Sequence, residues 1–360
     1  MGSQIHVVVF YSQMGYYKKM KKIGFFSVFL VLFSFLYRFI IEVRNFLFQH
    51  RIFLKSIKLN SFLISVGNIT AGGTGKTPVV MFLARKLQSQ GKGLAVVARG
   101  YKRKGGGFLV SNRREILMGS KEAGDEANLL AENLKGIPIL VGRNRKMLSQ
   151  VALNNFKVDT IILDDGFHYR YLKKDLEIVV IDATNPFSNG KLLPAGLLRE
   201  PLSSLKRADC FWLNYVNLVD EERLNSLKKF LTKINPEAKI VESFYQPLSL
   251  IDSSGKIYEL SAISGKEVWL LAGIGNPSTF ENLARHLGVK IIGKSFFPDH
   301  YWYKERNLKK ILKEEFEILL TTEKDLVLLK DIPFSKPILA LRIEIKVKNE
   351  ENLWRNLKIK

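Results

Sequence analysis

Ser65-Val-Gly-Asn-Ile-Thr-Ala-Gly-Gly-Thr-Gly-Lys-Thr-Pro78 stands between a β-branched run, Phe62 to Val66, and an amphipathic stretch from Pro78 to Gln88. A strand that ends in small residues and re-enters as a helix presents successive backbone N–H groups, and the positive end of the helix dipole, to an anion. In such a loop Lys76 meets β- and γ-phosphate charge, the Thr77 hydroxyl binds Mg2+, and Pro78 suits the first helical turn. The expected nucleotide cradle is therefore Thr70, Ala71, Gly72, Gly73, Thr74, Gly75, Lys76 and Thr77. Thr70 takes the place of the first glycine of the general G-x-x-x-x-G-K-[ST] pattern, and GGTGKT keeps the rest.

Outward from this loop the chain alternates apolar runs with amphipathic stretches. Strands are expected at Phe62 to Val66, Leu94 to Ala98, Ile137 to Val141, Thr160 to Leu163 and Glu177 to Ile181, and helices near Pro78 to Gln88, Glu122 to Asn133 and Asn144 to Asn154. That alternation predicts an α/β fold, a parallel sheet with crossover helices. A phosphate loop needs a metal-positioning acid at the end of a neighbouring strand, and Thr160-Ile-Ile-Leu163 running into Asp164-Asp165-Gly166 has that form. The competing reading of the two carboxylates is a solvated strand end or a helix cap.

Composition narrows the partners. The 360 residues carry 56 Lys and Arg against 34 Asp and Glu, a net charge of +22, with 46% hydrophobic residues and one cysteine, Cys210. This length suggests two domains with cores of their own, and the apolar content excludes a disordered chain. A lone cysteine excludes a disulfide framework within one chain. The charge calls for an anionic partner: nucleic acid, an acidic membrane or a phosphorylated substrate. No aromatic and basic repeat or nucleic-acid module is recognisable, so no nucleic-acid partner is expected.

The first sixty residues differ from the rest. Lys18, Lys19, Lys21, Lys22, Arg38, Arg44, Arg51, Lys55 and Lys58 face a single acid, Glu42, and an uncharged stretch runs from Ile23 to Tyr37. As a helix that stretch covers about 22 Å, short of the roughly 30 Å hydrocarbon core unless Arg38 snorkels and the helix continues to Ile41. A membrane-associated helix is expected, spanning or lying along the bilayer. A core helix is the alternative, and a signal peptide is disfavoured because no small-x-small cleavage site follows. Residues 1–19 read as dispensable, since Met20-Lys-Lys22 begins a more ordinary leader.

Nucleotide-binding loops serve kinases, motors, switches and partitioning ATPases, so other residues must choose. Partitioning ATPases carry a lysine just before the two glycines of the loop, and that position here is Ala71. Further motifs follow in order: Arg99-Gly-Tyr-Lys102, Ala123-Gly-Asp-Glu126, Leu163-Asp-Asp-Gly-Phe167, Leu193-Pro-Ala-Gly196, Leu198-Arg-Glu-Pro201, Ala272-Gly-Ile-Gly275, Phe297-Pro-Asp-His300 and Thr322-Glu-Lys-Asp325. Together with the loop, this series resembles the tetraacyldisaccharide 4'-kinases (lipid A 4'-kinases) of Gram-negative bacteria, in order and spacing, from Ser65 to Asp325.

The resemblance implies transfer of the γ-phosphate of ATP, with Mg2+, to the 4'-hydroxyl of a tetraacyldisaccharide 1-phosphate in lipid A biosynthesis. It places the protein on the cytoplasmic face of the bacterial inner membrane, against an anionic surface. It also implies a P-loop NTPase-type parallel sheet domain, a second, smaller α/β domain and an N-terminal membrane-associated helix. The expected division is an extension with that helix over 1–57, the kinase domain over 58–210 and the smaller domain over 211–360, whose final segment returns to the first. The family's proposed base, an aspartate assisted by a histidine, maps onto Asp125 and His300, with Asp299 as a weaker candidate to orient the imidazole. Arg199 and Glu200 match its Arg-Glu pair, an arginine for the transferring phosphate and a glutamate joining Thr77, Asp164 and Asp165 in the metal shell. Taken alone, Asp125 reads as a helix N-cap or first-turn acid, and Arg199 and Glu200 as a structural salt bridge. The basic loop of Arg99, Lys102, Arg103 and Lys104 suits either the substrate's 1-phosphate or a solvated charge run. One departure stands out: His168 and Tyr169 occupy positions where many members have Gln-His, and neither is carried over as catalytic. The non-enzymatic rival is a membrane-attached nucleotide switch or partitioning ATPase.

Overall fold

The computed structural model describes residues 25–101, 103–299, 301–329, 332 and 334–357. In chain order they form α1 (Phe25–Gln49), β1 (Phe62–Gly67), α2 (Lys76–Ser89), β2 (Leu94–Ala98), β3 (Leu109–Ser111), α3 (Ser120–Ala123), α4 (Asp125–Asn133), β4 (Ile139–Val141), α5 (Arg145–Phe156), β5 (Thr160–Asp164), β6 (Leu176–Asp182) and β7 (Cys210–Asn214). There follow α6 (Glu221–Ile234), β8 (Lys239–Ile251), β9 (Ile257–Tyr258), β10 (Glu267–Ala272), α7 (Pro277–His286), β11 (Lys290–Phe296), α8 (Glu305–Ile311), β12 (Ile318–Thr322), α9 (Glu323–Leu329), β13 (Ile338–Val347) and α10 (Leu353–Leu357). The expected alternation is present: this is a mixed α/β protein built on parallel sheet.

The chain divides into two compact units, each discontinuous in sequence. One is drawn from the described parts of Met1–Lys76, Asp159–Phe244 and Val347–Lys360, the other from Thr77–Val158 and Tyr245–Lys346. In the first unit the strands lie in the order β8-β7-β6-β1-β5, all parallel. Sequences such as Ile161-Ile-Leu163 and Ile178-Val-Val-Ile181 are buried along their whole length, as strands covered on both faces require. Phe167, Phe187, Phe211 and Leu213 pack there against Leu224, Leu227 and Leu231 of α6. That helix is started by Asp220, whose side chain accepts the Arg223 N–H at 2.9 Å. Cys210 opens β7 fully buried, where burial, reinforced by Asp209, pushes its thiol well above the usual range.

α1 belongs to this unit and has two unlike faces. Ile41 and Phe48 are buried, and Ser34, Tyr37 and Arg44 hydrogen-bond to Leu192 O, Arg199 O and Glu200 respectively. The other face exposes Phe29, Leu32, Phe33, Leu36, Phe39, Ile40 and Val43. Among the described residues no helix is long and apolar enough to cross a membrane.

In the second unit β2 pairs parallel with β4, whose other edge takes β3 antiparallel, and β11-β10-β12-β13 form a parallel set. Its cores centre on Val268, Leu270, Phe280 and Leu320 on one side, and on Leu271, Tyr303, Leu308 and Leu319 on another. The helix expected over Glu122 to Asn133 is broken into α3 and α4 at Gly124, which sits at φ +92°; a Cβ there would also lie 2.9 Å from Tyr101 O. Only glycine meets both demands. The break makes Asp125 the first residue of α4.

Candidate active site

In the first unit Val66 of β1 pairs with Asp164 of the neighbouring parallel strand β5. The glycine-rich turn and the Asp164-Asp165 pair therefore leave the sheet side by side at its carboxyl edge, where open α/β sheets bind ligands. The turn is pinned at several points. Ala71 N–H donates to Leu197 O at 2.6 Å and Arg199 N–H to Ile69 O at 2.7 Å. Asn68 Nδ2 donates to the Thr74 hydroxyl at 3.0 Å, and Asn214, at the end of β7, donates to Thr74 O at 2.8 Å. Gly72 adopts φ +114° with open space around it, so conformation and not crowding demands glycine there. Lys76 begins α2 at the end of the turn, and Thr77 is buried in its first turn.

Asp165, in a left-handed conformation at φ 52°, is the hub of this cluster. Its two oxygens accept from Arg199 Nη1 and Nη2 at 3.1 and 2.7 Å, and Lys76 Nζ lies 3.8 Å from Oδ1. Arg199 Nη2 also donates to Asn68 Oδ1. Burial pushes the Asp165 carboxyl upward, but the Lys76 and Arg199 charges outweigh it and hold the group far below the usual carboxylate range. Asp164, one residue earlier, is 3% exposed at the strand end.

Arg199 and Glu200 part company. Glu200 is fully buried, with Oε1 accepting from Arg44 at 2.8 Å and meeting His168 Nδ1 at 2.8 Å, while Oε2 accepts from Arg207 at 2.9 Å. Burial pushes its carboxyl up, yet the His168 hydrogen bond and the Arg207 and Arg44 guanidinium groups hold it well below its ordinary value. His168 is shifted down, because burial outweighs the Glu200 hydrogen bond. A carboxylate oxygen can only accept, so His168 Nδ1–H is the donor to Glu200.

In the second unit Asp125 Oδ1 accepts the Glu126 N–H at 2.9 Å. Its Oδ2 lies 3.5 Å from Lys324 Nζ, which also reaches Asp299 Oδ1 at 2.5 Å. Burial pulls the Lys324 ammonium down, but the charges of Asp125, Asp299 and Glu126 outweigh it and keep the lysine above its ordinary value. His300 and Lys102 lie outside the described residues. Arg103 donates to Val141 O at 2.8 Å and Gly105 O at 3.0 Å, folding back its own loop, while Arg99 and Lys104 are exposed.

Over residues 26–360 the sequence matches the family described as tetraacyldisaccharide-1-P 4'-kinase. The chain belongs to that family. A tetraacyldisaccharide 4'-kinase of Halothermothrix orenii is 36% identical over 341 residues, 88% of each chain, and one of Syntrophus aciditrophicus is 36% identical over 347 residues, 91% of each chain. Among solved structures, LpxK from Aquifex aeolicus in complex with ATP superposes with a TM-score of 0.73 at 33% identity, covering 92% of this chain and 98% of that one.

Three residues of this tetraacyldisaccharide-1-P 4'-kinase family member were not assigned roles from sequence. Asn68 and Asn214 fix the turn, and Lys324 meets Asp125. Asn68 lies inside the quoted motif, and its signal was an amide directly after a buried strand. Asn214 ends the apolar run Cys210-Phe-Trp-Leu213 in the same way. Lys324 carried no signal beyond its motif, because its partners stand far away in the chain.

Proposed function

We propose that this chain transfers the γ-phosphate of ATP to the 4'-hydroxyl of a tetraacyldisaccharide 1-phosphate, the lipid A precursor step. The observation that carries the reading is the Asp165, Arg199 and Lys76 cluster at the mouth of the glycine-rich turn, in a chain of this kinase family. The turn from Thr70 to Thr77 acts as the phosphate loop: its N–H groups and the start of α2 face phosphate oxygens, and Lys76 neutralises β- and γ-phosphate charge. Arg199, oriented by Asp165, stabilises charge on the group in flight.

The donor set suits Mg2+. Among the described residues no group of three or more His, Cys, Asp or Glu is arranged to hold a metal, and Mg2+ is ordinarily held by one or two carboxylates together with substrate phosphates. Thr77 and Asp164 are the proposed protein ligands, because both oxygens of Asp165 are engaged by Arg199. Glu200 is buried among Arg44, His168 and Arg207, and we assign it to holding the Arg199 segment in place and not to the metal. When bound, the ion neutralises charge on the β- and γ-phosphate oxygens.

Asp125 is the proposed proton acceptor, with His300 as its assistant. The sugar oxygen bonds to the γ-phosphorus, the bond from that phosphorus to the β–γ bridging oxygen breaks, ADP leaves, and the hydroxyl proton passes to Asp125. α1 seats its exposed apolar face in the interface of an anionic inner membrane on the cytoplasmic side, while Ser34, Tyr37 and Arg44 on its other face hold it to the protein. Residues of the Arg99 to Lys104 loop that remain exposed are candidates for the lipid's 1-phosphate.

The test is an incubation of the protein with γ-labelled ATP and tetraacyldisaccharide 1-phosphate in detergent micelles. Label in the lipid, at a position distinct from the existing 1-phosphate, is the expected result. Release of labelled phosphate with unlabelled lipid would overturn the reading in favour of a nucleotide switch.

A further inference from the structure

Thr322-Glu-Lys-Asp325 lies where β12 passes into α9, and its side chains reach four separate segments. Asp325 is 1% exposed. Its Oδ2 accepts from the Gly273 N–H at 3.0 Å and the Thr322 hydroxyl at 2.7 Å, and its Oδ1 accepts from the Tyr303 hydroxyl at 2.8 Å. One buried carboxylate therefore fixes both the turn after β10 and the segment that carries Asp299 to Tyr303 against the start of α9. Lys324, next in line, is held with only 14% of its side chain exposed, between Asp299 at 2.5 Å and Asp125 at 3.5 Å.

We propose that Lys324 is a positioning residue for Asp125: its ammonium holds that carboxylate ionised and aimed, and ties it to the segment bearing Asp299. The inference rests on the reading of Asp125 as proton acceptor. A lysine so enclosed is not a solvated surface charge. The groups facing it are Asp125 and Glu126 from α4, Asp299 from the segment before α8, and its neighbour Asp325, while Glu323 on α9 is engaged by Arg342 at 3.2 Å. Three carboxylates outside its own helix keep it charged against the cost of burial. In return the ammonium favours the ionised form of Asp125, because an opposite charge within about 4–6 Å lowers a carboxyl pKa by roughly 1–3 units. Asp125 Oδ1 is fixed separately by the Glu126 N–H, which leaves Oδ2 as the oxygen the lysine orients.

The sign of the effect follows. Without the ammonium the Asp125 pKa rises, the ionised base is lost at higher pH, and the acid limb of the kcat profile moves upward. Lys324→Met is expected to shift that limb by about one unit, costing about tenfold in kcat below the limb and progressively less above it. The KM for ATP should stay within about twofold, and Lys324→Arg, which keeps the charge, should retain the wild-type limb. A merely structural loss would lower activity at every pH alike. Lys324→Gln serves as a second neutral variant should the methionine variant not melt cooperatively, and failure of both neutral variants to fold would assign Lys324 to stability and overturn the inference. An unmoved acid limb in a folded neutral variant would overturn it too. Asp125→Asn runs alongside: wild-type turnover there would remove the base assignment itself, whereas an inactive Asp125→Asn with an unmoved limb in Lys324→Met would remove only the role of the lysine.

Discussion

Two charge clusters of this protein are built from the same groups in opposite proportion. Around Asp165, two cations, Arg199 and Lys76, meet one carboxylate. Around Lys324, among the described residues, carboxylates from Asp125, Asp299 and Glu126 face its ammonium. In the reading proposed above, the cations of the first serve phosphate oxygens and a carboxylate of the second serves a proton. On that reading Asp165 and Lys324 do not perform the chemistry but orient the groups that do. A counter-charge set among like charges is how a fold keeps them together without their mutual repulsion scattering them.

The comparison can be broken first at its positive pole. Lys76→Ala should abolish phosphoryl transfer, a loss of about 10³-fold or more in kcat, measured as label incorporated into lipid. Retained turnover would mean that the Lys76 charge is not used on phosphate. At the negative pole Asp125→Asn should lower kcat by about 10²-fold and leave nucleotide affinity, measured by calorimetry, within about twofold. A variant that instead lost ATP binding would erase the division of labour between the clusters.

A smaller effect sharpens the contrast by touching neither pole. Glu200→Gln leaves Arg44 and Arg207 without their buried counter-charge and should cost about 3 kcal/mol of stability, read from urea unfolding at pH 7. The Glu200 carboxyl titrates lower in the folded chain than the value of 4.5 it has when unperturbed. Its contribution is therefore full above about pH 4.5 and fades as the pH falls below that. The variant should lose the corresponding part of the acid-side slope. Equal slopes in the two proteins would show that the glutamate is not ionised against its partners.

What could be read in the sequence follows the same division. Apart from Arg199, the positive cluster is assembled from the end of one strand and the end of its neighbour, so short contiguous motifs disclose it, Gly67 to Thr77 and Asp164-Asp165. Its strands are legible because both faces are buried and most of their residues are apolar. The negative cluster joins residues 125, 299 and 324, and no local pattern announces a lysine whose partners are so far off along the chain. Asp125 reads alone as a first-turn acid, and it is one: α4 starts there because Gly124 breaks the helix. The expected helix over Glu122 to Asn133 missed that break, since glycine inside an amphipathic pattern does not by itself reveal a positive φ. The roles of Arg199 and Glu200 were also only half legible. Adjacent side chains on an extended segment point to opposite sides, and the partners of Glu200 include Arg44, on a helix whose composition names no partner within the protein.

The solitary cysteine has a practical consequence. Cys210 is sealed in β7 with its thiol pushed well above the usual range, so the native chain offers maleimide reagents no accessible thiolate. A single cysteine engineered at the outward face of α1, at Leu36 or Phe39, would carry a fluorophore or spin label at one known place. The protein comes ready-made as a background-free scaffold for measuring whether that helix enters a vesicle.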